Sequence, residues 1–311
     1  MLRSARGFRR FAWGVLAYTL FVILWGGYVR ASGSGAGCGD HWPLCNGDVI
    51  PRAPEMATLV EFGHRVTSGL AGLASVLLLV WAFRAYPAGS PVRKGALFGF
   101  AFMMTEALIG AGLVLFEYVA FDASTARAYW MAAHLGNTFL LLAALGLTAW
   151  WASGGRVPSL AAGPHRTLTM ASLVGLFVLG ISGAVTALGD TLVLAGGLDP
   201  AEVPIVATLV GLRIVHPLLA CAVVGLFALA AYRVRRDAPG GRAAFIGLTV
   251  LAIMLVQLMV GLVNVELLAP VPLQLVHLFL TDLIWLGAVF FAAEALAPAP
   301  VVERRTVGVA A

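Results

Sequence analysis

The sequence predicts an all-α integral membrane protein: eight transmembrane helices forming two pseudo-symmetric four-helix bundles, with both termini cytoplasmic. Three observations carry that expectation. The chain is 60% hydrophobic and only 11% charged over 311 residues, with a mean hydropathy of +0.93, which is too apolar for a soluble domain of this length. It contains eight apolar runs, each roughly 19 to 26 residues long and sufficient to cross a bilayer. Ionisable residues also recur inside those runs at matched places in the two half-chains, where charge at membrane depth is costly and marks function.

The runs lie near 11–29, 57–83, 96–116, 128–152, 167–187, 205–232, 243–268 and 272–296. Placing the N-terminus inside puts Arg3, Arg6, Arg9, Arg10 and the basic clusters around Arg93, Arg235 and Arg304 on one side. The opposite side and its adjoining helix ends keep only Arg30, Arg52, Arg65, Arg127 and Arg213. This asymmetry orients the chain and accounts for its basic pI without any nucleic-acid footprint. The first run is too long for the apolar core of a signal peptide and reads as a retained helix. The basic start is too short for an organellar transit peptide, so a bacterial cell membrane is expected rather than a mitochondrial inner membrane.

The first run ends in Gly26-Gly27-Tyr28-Val29-Arg30 and opens into an outer segment with Cys38 and Cys45. Two cysteines on an oxidising face, separated by residues rich in turn formers, favour a small disulfide loop over a zinc site with His41. Spacing leaves a structural and a redox-active disulfide equally open. Cys221, inside the sixth run, reads as a small buried hydrophobe.

The second run carries Glu61-Phe62-Gly63-His64-Arg65, followed by small residues suited to close helix approach. The sixth carries Leu212-Arg213-Ile214-Val215-His216, and the fourth and eighth hold His134 and His277. Glu106 with Gly110 in the third run is answered by Gln257 with Gly261 in the seventh, and Gly27 is paired with Gly183. These offsets imply two copies of one four-helix unit, 1–152 and 153–311. An even number of spans per unit gives both copies the same orientation.

Two imidazoles facing each other across a four-helix bundle suit a planar metal macrocycle. A lone histidine is as readily explained by a hydrogen bond to a neighbouring helix, but four at repeated positions favour two ligand pairs. Arg65 and Arg213 stand at a depth suited to haem propionates, with snorkelling to the interface as the plain alternative. Three residues before the histidine, one half has Glu61 and the other Arg213. The first half is therefore expected to do chemistry and the second to hold a fixed electron-transfer haem. Glu106, Asn137, Asn264, Glu266 and Asp282 read as structural hydrogen-bonding groups.

Together, Gly-Gly-Tyr-Val-Arg before a loop with Cys-x6-Cys around Trp-Pro-Leu-Cys-Asn-Gly, Glu-x-x-His-Arg in the second helix and the three further histidines resemble the haem A synthase family. The resemblance covers nearly the whole chain. It implies a b-type haem held by His216 and His277, and haem O as substrate in the first half with His64 and His134. It implies oxidation of the ring methyl at position eight of haem O to the formyl group of haem A by successive hydroxylations. Glu61 matches the family's functionally important carboxylate, and Cys38 with Cys45 its outer cysteine pair. Some relatives carry a second cysteine pair between helices five and six, and Leu188 to Pro204 has none here.

The implied partners are membrane lipid, a haem O synthase that hands over substrate and an electron carrier of unspecified identity. Homo-oligomerisation is left open. A di-haem b-type cytochrome passing electrons between quinol and a partner is the principal rival. A proton-relaying transporter is the second, and its expected relay would cross the membrane, whereas these histidines cluster near one face.

Overall fold

The structure, a computed structural model, describes residues 2–159 and 163–298. Arg304 and Arg305, counted above for orientation, lie outside the described residues. Among the described residues eight α-helices make up the fold: α1 (Leu2–Ala31), α2 (Met56–Ala85), α3 (Pro91–Leu115), α4 (Thr125–Ala152), α5 (Arg166–Leu194), α6 (Pro204–Asp237), α7 (Arg242–Glu266) and α8 (Val271–Ala295). Each contains a stretch long and apolar enough to cross a membrane. No strand occurs among the described residues, and the one isolated bridge pairs Cys45 with Asp48.

Local chemistry starts several of these helices. Ser90 accepts from the backbone N–H of Val92 ahead of Pro91, and Ser124 accepts from that of Arg127. Both are side-chain caps for donors that the first turn leaves orphaned. Pro204 opens α6, where its missing N–H and fixed φ cost nothing. Helices α1 and α6 run past the expected apolar stretches into their basic ends, because backbone hydrogen bonding continues where hydropathy stops. Cys221 of α6 is exposed rather than buried, since an apolar helix in lipid has no need to turn a small side chain inward.

Helices α1 to α4 pack as one closed ring, with α4 returning to α1. Helices α5 to α8 pack as a second, with α8 returning to α5. The rings meet through α1 against α8, α4 against α5 and α4 against α8. Surrounded by lipid as apolar as leucine, helices associate through close packing and hydrogen bonds rather than hydrophobic expulsion. The seam shows both. Phe139 and Trp285 stack with centroids 5.0 Å apart, and Trp285 Nε1 donates to the Phe139 carbonyl at 2.7 Å. A Cβ at Gly180 would meet the Phe139 ring at 2.1 Å, and one at Gly146 would meet Leu286 at 2.8 Å. A larger residue at either point would force these neighbouring side chains to shift.

Candidate functional site: two histidine pairs and an outer carboxylate

His64, His134, His216 and His277 lie eight, nine, twelve and six residues after the first residues of α2, α4, α6 and α8. At 1.5 Å per residue they sit roughly 9 to 18 Å along their helices. His64 and His134 are within electrostatic reach of each other, as are His216 and His277. The sequence-predicted pairs are therefore brought together within their own rings of helices.

A glycine on the preceding helix backs each imidazole. A Cβ at Gly26 would meet Cε1 of His64 at 2.9 Å, and one at Gly183 would meet Cε1 of His216 at 3.0 Å. At Gly261 the distance to Cε1 of His277 is 3.1 Å, and at Gly110 that to Cε1 of His134 is 3.9 Å. The glycine matching Gly183 in this role is thus Gly26. Gly27, one residue further round α1, would instead push a Cβ into Leu278 at 2.7 Å.

The ring nitrogens complete the picture. Nδ1 of His64, His134 and His277 is buried without a well-formed hydrogen bond, while Nδ1 of His216 meets Ser182 Oγ at 2.8 Å. None of the four Nε2 atoms is hydrogen-bonded among the described residues. An imidazole that leaves Nε2 free and is held by glycine contact suits coordination of a metal through that atom.

The helix before each second histidine carries a polar partner. Glu106 Oε1 lies 3.2 Å from His134 Nδ1, off the line of an ideal hydrogen bond, and it accepts from Thr138 Oγ1. Its Oε2 accepts from Asn137 Nδ2, whose second bond runs to the Phe102 carbonyl at 2.9 Å. Gln257 takes the equivalent place in the other ring, donating to the His277 carbonyl at 2.9 Å and to Thr281 Oγ1 at 2.7 Å.

Glu61 is buried and fully engaged. Its Oε2 accepts from the backbone N–H of Cys38 at 2.9 Å, and its Oε1 accepts from Arg65 Nε at 3.0 Å and from Arg65 Nη2. Arg65 Nη1 also donates to the carbonyls of His41 and Leu44, so the guanidinium ties the outer loop to α2. Cys38 and Cys45 are joined by a disulfide. Gly37 lets this loop lie on α2, since a Cβ there would meet the Ala57 carbonyl at 2.4 Å, and its own carbonyl accepts from Thr58 Oγ1 at 2.7 Å.

In the second ring Arg213 donates through Nε to Asp190 at 2.6 Å, and its Nη2 pairs with the same oxygen at 2.6 Å. Its Nη1 has no protein acceptor among the described residues. Pro217 follows His216 inside α6 and withholds a donor from the Arg213 carbonyl. Sequence reasoning missed Asp190, Pro217 and the linking role of Arg30, although the proline next to a membrane histidine was a readable signal.

Arg30 links the rings. Its Nη1 donates to the Ala187 carbonyl at 2.8 Å and to Thr191 Oγ1 at 2.7 Å, and its Nη2 donates to Gln274 Oε1 at 2.8 Å. Among the groups expected to be structural, Asp282 differs: it is fully buried with neither carboxyl oxygen hydrogen-bonded.

Fold and site together define a polytopic α-helical membrane protein with two histidine pairs and a carboxylate beneath a disulfide-closed loop. The profile of the COX15-CtaA family, described as cytochrome oxidase assembly protein, matches residues 9–289, and the chain belongs to that family. It is 50% identical over 294 residues to a protein of Thermus thermophilus named protohaem IX farnesyltransferase, covering 92% of this chain and 48% of that one. It is 46% identical over 99 residues to a haem A synthase of Symbiobacterium thermophilum, 32% of each chain. To a haem A synthase of an Exiguobacterium species it is 41% identical over 98 residues, 32% of this chain and 33% of the other. The chain spans about half the length of the Thermus relative, at 48%, and its match to the two haem A synthases covers about a third of theirs.

Proposed function

We propose that this protein is a membrane oxidoreductase of the haem A synthase type, converting the ring methyl of haem O at position eight to a formyl group by successive two-electron hydroxylations. The observation that carries this reading is the pair of matched constellations, each with two histidines in one ring of helices, backed by glycines. Family membership supports it, as do the relatives named haem A synthase.

In this reading α1 to α4, within residues 1–152, receive haem O between His64 and His134. Helices α5 to α8, within 153–311, hold a b-type haem through His216 and His277, and the two units are related by a pseudo-two-fold axis. When bound, a b-type haem would supply one-electron transfer to or from the first half, in exchange with a carrier outside this chain. Glu61 is the catalytic carboxylate: anchored by Arg65 and Cys38, it stabilises positive charge or accepts a proton at the methyl carbon. Arg213 is the better placed propionate partner, because Nη1 keeps its donors, whereas Arg65 already makes contacts through all three of its nitrogens.

The match to about half of a relative named for farnesyl transfer supports a haem O synthase as the partner acting just before this enzyme. The setting is the bacterial cell membrane, with both termini cytoplasmic and the disulfide loop outside. Haem stoichiometry of the purified chain and its histidine variants tests the assignment. His216→Ala and His277→Ala should each lose the stably bound haem, while His64→Ala and His134→Ala should lose only haem O. A colourless parent protein, or four variants with unchanged haem content, would contradict it.

A further inference from the structure

Glu106 and Gln257 occupy equivalent places at an offset of 151, yet one is an acid and the other an amide. Each sits on the helix preceding a histidine, and each contacts the threonine four residues after that histidine, Thr138 or Thr281. Their relation to the imidazole differs. Glu106 brings an oxygen to 3.2 Å from Nδ1 of His134. Gln257 donates to the backbone carbonyl of His277, and its Oε1 and that ring's Nδ1 make no hydrogen bond, as Nδ1 of His134 makes none of good geometry.

We propose that Glu106 is a positioning residue for His134, holding the ring so that Nδ1–H faces the carboxylate and Nε2 faces the iron. This makes the first site's ligand more basic than its counterpart in the second. The inference rests on the reading of His134 and His277 as haem ligands.

Three features support it. The carboxylate is itself fixed from both sides, by Thr138 on Oε1 and by Asn137 on Oε2. Asn137 is in turn held by the Phe102 carbonyl, so the acid is clamped between α3 and α4. A carboxylate facing the far nitrogen of a metal-bound imidazole fixes the tautomer and raises ligand basicity, and such partners affect metal affinity and activity by roughly 10- to 100-fold. A more basic ligand favours the ferric state, so the two haems are held at different potentials by one acid-to-amide difference.

The test is a spectroelectrochemical titration of the purified full chain loaded with excess haem B, with components assigned by His134→Ala and His277→Ala. Glu106→Gln keeps the shape and one acceptor oxygen, which can serve Thr138 or Asn137 but not both. It should raise the potential of the component lost in His134→Ala by at least a tenfold change in the reduced-to-oxidised ratio, about 59 mV for one electron. Gln257→Glu should lower that of the component lost in His277→Ala.

Movement of the first component in Glu106→Gln with the second unchanged supports the inference. If His134→Ala removes a component but Glu106→Gln leaves its potential in place, the inference fails while the ligand assignment stands. If His134→Ala removes no component, both fail.

Discussion

The backbone N–H of Cys38 donates to Oε2 of Glu61 at 2.9 Å, so the disulfide-closed outer loop and α2 meet at the carboxylate one turn before His64. Arg65 closes the same arrangement from the other side, pairing with Glu61 while holding the His41 and Leu44 carbonyls. A buried acid is thereby fixed in place between the loop and Arg65, which is the preorganisation a catalytic group requires.

Replacing Glu61 by Gln keeps one acceptor, for Cys38 or for Arg65 but not both, and removes the charge. Haem content should stay near that of the parent, while conversion falls by roughly 100- to 10,000-fold, the range of general acid–base contributions. Chromatography of extracted haems would then show haem O or the hydroxylated intermediate. Normal haem A yield from this variant would remove Glu61 from the mechanism.

Opening the loop should act on the same carboxylate from outside. Cys38→Ser or Cys45→Ser releases a closure of sequence separation 7, worth on the order of 2 to 3 kcal/mol in the loop-entropy model. Product yield should drop and the outer loop should become protease-sensitive, while the spectrum of the second haem stays unchanged. An equal loss of both haems would show that the loop supports the whole fold rather than the first site.

The glycines behind the histidines predict a graded series. Alanine at Gly26, Gly183 or Gly261 places a Cβ 2.9 to 3.1 Å from an imidazole, whereas at Gly110 the contact is an ordinary 3.9 Å. Overpacking of that kind costs about 1 to 3 kcal/mol. Haem content should fall in the first three variants and hold in Gly110→Ala. Gly69→Ala and Gly72→Ala, with nothing within 4 Å, serve as controls. Equal haem content across the series would show that the rings are not held by these contacts.

Arg30 should matter to both rings at once. Hydrogen bonds to a charged group contribute about 1.5 to 3 kcal/mol each, and Arg30 makes three, to Ala187, Thr191 and Gln274. Arg30→Gln should lower the melting temperature in detergent. Arg30→Lys should fall between it and the parent, keeping charge without the planar fork. A melting temperature equal to the parent's in both variants would contradict this.

The eight spans were legible because hydropathy alone reports them, and the histidines and Glu61 because ionisable groups at membrane depth stand out. The register of α1 was not. Adjacent residues on a helix point about 100° apart, so Gly26 and Gly27 cannot be told apart without the packing: one faces His64 and the other Leu278. Arg30 stood out as the end of the first run, but its role between the rings was not legible because its partners lie 157 to 244 residues away. Asp190 was hidden in the same way, 23 residues from Arg213 across a loop whose path the sequence does not reveal. The Glu106 and Gln257 correspondence was visible as an offset, but its meaning needed the side-chain contacts.

The most direct test of the central claim is chromatography of the haems extracted from purified protein, expressed with and without a supply of haem O. The account predicts haem B in both preparations, with haem O and its conversion to the hydroxylated precursor or haem A only on supply. Haem B alone, two per chain and unchanged by haem O, would contradict it and leave a di-haem cytochrome in its place.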